Sequence, residues 1–86
     1  MPRAANNIVA RRETVTGVLV AANWDQEYKV TGVVIACEGE RDIHVINSQA
    51  LPELAFLMGK RVSATGAVFR KSGVESMRVR HCYPLD

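Results

Sequence analysis

Three times in this chain a β-branched run closes around a glycine: Val15-Thr16-Gly17-Val18, Val30-Thr31-Gly32-Val33 and Ala64-Thr65-Gly66-Ala67-Val68. Val and Thr favour extended backbone, where their branched side chains pack on a pleated surface. A glycine inside such a run marks a bulge, or a sharp coil where two backbones approach closely. A small sheet bent at three places curls until its edges meet, so the repeat predicts a closed β-barrel.

Eighty-six residues make one domain, and a domain of that size buries only about 60% of the surface its unfolded chain exposes. The apolar share is 48%, and twelve valines against a few aromatics suit a narrow barrel interior. Met1 to Arg12 mixes Ala, Asn and Arg without alternation and reads as a flexible N-terminal arm (1–12), leaving the barrel to 13–86.

Alternation carries the element order. Glu13 to Trp24 reads as a first strand with Val15, Gly17 and Leu19 on one face and Val18 and Val20 on the other, and Tyr28 to Ala36 as a second. Asp42 to Asn47 follows after the turn Glu38-Gly39-Glu40-Arg41. From Ser48 to Met58 the alternation stops, and Leu51, Leu54, Leu57 and Met58, with Pro52 early and Gly59 after, predict a short plug-like helix. Lys60 to Arg70 and Glu75 to Tyr83 are the last two strands, joined by Lys71-Ser72-Gly73-Val74. The expected fold class is all-β with one short helix.

That order, with glycine in the first strand and the run Gly59-Lys60-Arg61-Val62-Ser63-Ala64-Thr65-Gly66-Ala67-Val68 leaving the helix, resembles the OB-fold over residues 13–83. The resemblance implies a five-stranded Greek-key barrel with its helix between strands three and four. It also implies a ligand surface on strands two and three, flanked by the strand 1–2 and strand 4–5 loops. OB domains that take single strands stack bases on aromatic side chains. Simple alternation from Tyr28 turns Lys29, Thr31, Val33 and Ile35 outward on strand two, none of them aromatic.

The net charge is only +2, but the charge is unevenly spread. Residues 13 to 53 hold seven acids against Lys29 and Arg41, whereas residues 54 to 83 hold six bases against Glu75. Arg61, Arg70, Lys71, Arg78 and Arg80, with Lys29 and with Trp24 and Phe69 for stacking, are therefore the candidate contacts for single-stranded nucleic acid. The alternative reading is a protein-interaction or self-assembling subunit, a second copy docking on an outward apolar stripe of Val18, Val20, Val33, Ile35 and Ile46.

Catalysis is not expected. Asp42 and His44 alternate on one strand without a nucleophile set, and Gly59-Lys60-Arg61 lacks the glycine spacing of a phosphate loop. Cys37, Cys82, His44 and His81 lack paired metal spacing, so neither metal nor other cofactor is expected, and no small-molecule substrate. Two cysteines without a C-x-x-C neighbour suggest a reducing compartment. No stretch has the length of a signal or membrane segment, so the expected location is cytoplasmic.

Overall fold

The computed structural model describes residues 9–85. Five strands, β1 (Arg11–Trp24), β2 (Val30–Cys37), β3 (Arg41–Val45), β4 (Arg61–Lys71) and β5 (Val74–Pro84), close into a barrel in the order β1-β2-β3-β5-β4. All neighbours are antiparallel except β3 and β5, which run parallel. This is the five-stranded barrel of OB type that the sequence predicts. Strand β1 begins earlier than expected: Arg11 and Arg12 already pair with Val68 and Ala67 of β4. Residues 1–8 of the expected arm lie outside the described residues.

The glycine repeat explains how the sheet closes. Strand β1 pairs with β4 from Arg11 to Val18 and with β2 from Gly17 to Trp24, so Gly17 lies where one strand passes between two partners. A Cβ on Gly17 would sit 2.6 Å from the Ala36 carbonyl oxygen, and one on Gly66 would lie 2.9 Å from the Arg78 carbonyl carbon and the Val79 Cα. Both glycines are therefore required by close backbone approach. Gly66 also adjoins the register shift that leaves Arg80 as an extra residue on β5, and Gly32 sits opposite the shift around Asn23.

The interior is aliphatic. Leu19, Ile35, Ile43, Val62 and Met77 are its largest fully buried side chains, joined by Val15, Val33, Val45, Ala64, Val68 and Val79. Val33 and Ile35, expected on the outer stripe, are thus core residues, at 4% and 0% exposure. Strict alternation from Tyr28 has the wrong phase, because Tyr28 has φ 66 and belongs to the loop, and the register shifts opposite Gly32 reset the strand. Val33 then faces Val45 and Ile35 faces Ile43, all pointing inward. Their neighbour Val34 takes the outer position.

The expected helix is two 3₁₀ segments, Ser48–Ala50 and Pro52–Leu57. Pro52 lacks an N–H and disfavours helical backbone at Leu51, which has φ −128 and ψ 73. Leucines at 51, 54 and 57 recur every three residues, the period of a 3₁₀ turn. Leu54 is buried and Leu51, Leu57 and Met58 pack against the core, so the segment still plugs one end of the barrel.

The other end is closed by charge. Arg41 donates from Nε and Nη2 to Glu75 (2.9 and 2.7 Å) and from Nη1 and Nη2 to Glu13 (2.9 and 3.1 Å), tying β3 to β5 and β1. These hydrogen bonds hold both carboxyls below their ordinary pKa and raise that of Arg41. At the seam between β3 and β5 only His44–Ser76 and Val45–Met77 pair as strands. The Asn47 side chain continues the ladder: its Nδ2 donates to the Val79 carbonyl (2.9 Å), and its Oδ1 accepts from the Val79 N–H (3.0 Å).

Candidate functional site

Closure in this strand order sorts the outward side chains onto two surfaces. On β1, β4 and β5 the registers set Arg12 beside Ala67 and Arg78, Thr14 beside Thr65 and His81, and Thr16 beside Ser63 and Tyr83. The Thr14 and Thr65 hydroxyls share a hydrogen bond of 2.8 Å. The rings of His81 and Tyr83 stack with centroids 6.1 Å apart and planes 6° from parallel. Arg61 lies on the same face beside Val18, and exposed Arg80 occupies the bulge. From Arg12 to Val20 on β1, along β4, and from Ser76 to Tyr83 on β5, no outward residue is acidic.

The bulge is what brings the aromatic pair outward. Strict alternation from Met77 and Val79 would turn His81 and Tyr83 inward; the extra residue at Arg80 shifts the phase, and Cys82 packs against the core instead. The sequence offers His81 only as an isolated metal-ligand type and marks neither Tyr83 nor Arg12 as a contact. The signal that could have found them is Gly66, whose bulge resets the opposite strand.

The surface on β2 and β3 is different. Its outward residues include Val34, Ala36, Asp42 and His44, bordered by Glu38 and Glu40 in the β2–β3 turn. Trp24 and Lys29 stand at the β1–β2 loop, among acids. Asp25 Oδ1 accepts from the Glu27 and Lys29 N–H groups (2.8 and 2.9 Å), and Lys29 Nζ lies 4.0 Å from Glu27. Trp24 is 56% exposed.

The sequence-predicted contacts are therefore divided. Arg61, Arg78 and Arg80 share the β1–β4–β5 face, with half-buried Phe69 farther along β4 opposite Ser76. Arg70 donates to the Gly73 carbonyl of its own hairpin (3.2 Å), and Lys71 is exposed beside it. This hairpin and the Trp24–Lys29 loop lie toward opposite ends of β1, whose 14 residues span roughly 45 Å at strand rise. Of the apolar stripe, Val18, Val20 and Ile46 are exposed at 36%, 43% and 46%.

Cys37 and Cys82 are both free and partly buried, and burial raises both thiol pKa values. Cys37 lies near the Arg41 network and Cys82 near Glu53. Among the described residues no three of His, Cys, Asp and Glu gather into a group that could hold a metal ion. No helix among them is long and apolar enough to cross a membrane. Comparison with protein-family models, curated proteins and solved structures finds no match.

Proposed function

We propose that this protein is a non-catalytic binding module that takes single-stranded nucleic acid on the outer face of β1, β4 and β5. The observation that carries the reading is the acid-free band in which Arg12, Arg61, Arg78 and Arg80 surround the stacked His81–Tyr83 pair. Bases attract phosphate irrespective of sequence, and an exposed ring offers a face to any nucleobase. The β2–β3 surface used by many OB domains has the opposite sign here, and Asp25, Glu27, Glu38, Glu40 and Asp42 would repel a phosphate backbone. The proposed roles are phosphate contact for the four arginines and stacking for Tyr83, with Lys71 and Phe69 extending the track. Trp24, Lys29 and Arg70 have none. The two free cysteines fit a reducing, cytoplasmic setting.

Fluorescence anisotropy with a labelled oligonucleotide tests the proposal. Four neutralised phosphates give a slope of about −3 for log K against log salt on a single strand, falling to about −1.5 when Arg78→Ala and Arg80→Ala are combined. Tyr83→Ala costs about 1–3 kcal/mol and Trp24→Ala leaves binding unchanged. Absence of binding at about 20 mM salt, where charge attraction is least screened, refutes the proposal.

A further inference from the structure

The strand registers carry one row of outward residues across four strands: Arg61 on β4, Val18 on β1, Ala36 on β2 and Asp42 on β3. The next row sets Val20 beside Val34 and His44. The apolar centre is uneven, because Val18 and Val20 stand 36% and 43% exposed while Val34, one strand away, is only 9% exposed. The accessible apolar surface of this patch is thus mainly on β1. Arg61 and Glu38 also line the groove over Gly17, Val18 and Ala36, and neither they nor Asp42 forms an ion pair among the described residues.

We infer that this face is the contact between two copies of the chain, related by a two-fold axis running along the strands between β1 and β2. Such an axis reverses the order of strands and preserves position along them. Val18 and Val20 of each copy then sit over Ala36 and Val34 of the other. Arg61, about 14 Å from Asp42 within one chain at ordinary strand spacing, meets Asp42 of the second copy, and the pair forms twice. A two-fold axis across the strands would set Arg61 against Arg61 and Asp42 against Asp42, so charge selects the first arrangement. An unrelated protein would need a matching charge order, which a second copy already has.

Sedimentation velocity without nucleic acid, from about 10 μM to about 1 mM, reads the assembly directly. Wild type becomes dimeric within that range and Val20→Glu stays monomeric, with unchanged circular dichroism because Val20 is already exposed. Arg61→Asp and Asp42→Arg each weaken the dimer about tenfold or more, and the double variant regains it because the reversed charges meet again. A wild-type monomer at about 1 mM, a Val20→Glu dimer as tight as wild type, or a double variant no tighter than the singles each overturns the inference. Since no oligonucleotide is present, these outcomes are read apart from nucleic-acid binding, with which the dimer competes for Arg61.

Discussion

Asn47→Ala removes the side chain that completes the β3–β5 seam. Val79 is 3% exposed, and both its N–H and its C=O are held by Asn47. Two hydrogen bonds contribute roughly 1 kcal/mol each, and a buried donor or acceptor left bare costs about 1–3 kcal/mol. Asn47 itself is half-buried, so water can reach part of the gap, and the expected loss is about 2–3 kcal/mol. A domain of this length has roughly 4–13 kcal/mol in all. The melting temperature therefore falls by about 10–20 °C, and the urea midpoint by about 2–3 M at a slope near 1 kcal/mol/M. Far-UV circular dichroism should follow unfolding, since Trp24, the single tryptophan, is more than half exposed.

Asn47→Asp separates seam chemistry from side-chain volume. Its carboxylate still accepts from the Val79 N–H but meets the Val79 carbonyl with a lone pair, which raises its folded-state pKa above the unfolded value. Stability relative to wild type is then poorest near neutrality and recovers as pH falls toward about 4, where the protonated group donates to that carbonyl. A loss under about 0.5 kcal/mol for Asn47→Ala, within the range of a neutral surface change, refutes the account of the seam.

Three further outcomes follow from the ends and bends of the barrel. Glu13 and Glu75 have depressed folded-state pKa values, so their pairing with Arg41 stabilises above the unfolded value and is lost as pH falls through the folded ones; thermal melts should drop below about pH 4.5. Arg41→Met should cost about 1–3 kcal/mol at pH 7, between exposed and buried pairs, and should reverse the trend, since acid then relieves two facing carboxylates; parallel melts of wild type and variant down to pH 3 would refute this. Gly66→Ala forces a Cβ onto the Arg78–Val79 backbone and should cost about 3 kcal/mol or more in urea titrations, whereas an unchanged midpoint would mean that the bulge does not depend on the missing side chain.

The sequence foretold the barrel because each of its devices is local. A glycine among β-branched residues, a two-residue turn and a break in alternation all fall inside windows of a few residues, and their order sufficed for the topology. Facing was less legible. Val33, Val34 and Ile35 are all apolar, so hydrophobicity alone could not choose the phase of β2, and the register shift that chooses it depends on Asn23 of another strand. The same obstacle hid the His81–Tyr83 pair, which turns outward only because one residue on β5 is left over opposite Gly66. Asn47 resembles any loop asparagine until Val79 is brought beside it.

Charge segregation in the sequence becomes charge segregation in space for a topological reason. In the order β1-β2-β3-β5-β4, the acid-rich half supplies β2, β3 and their turn on one side, and the basic half supplies β4 and β5 on the other, with β1 shared. Arg41, one of two bases in the acidic half, meets Glu75, the one acid of the basic half, and Glu13 completes the cluster. These three run against, or border, the sign of their surroundings and are spent on closing the barrel end, whereas Lys29, the other base of the acidic half, stays exposed beside Glu27. What remains outside is nearly unmixed, with acid around Glu38, Glu40 and Asp42, and base along Arg61, Arg78 and Arg80. A molecule polarised in this way repels phosphate from one side and attracts it to the other. Where the two signs flank Val18 and Val20, the charge order is its own complement under the two-fold axis proposed above.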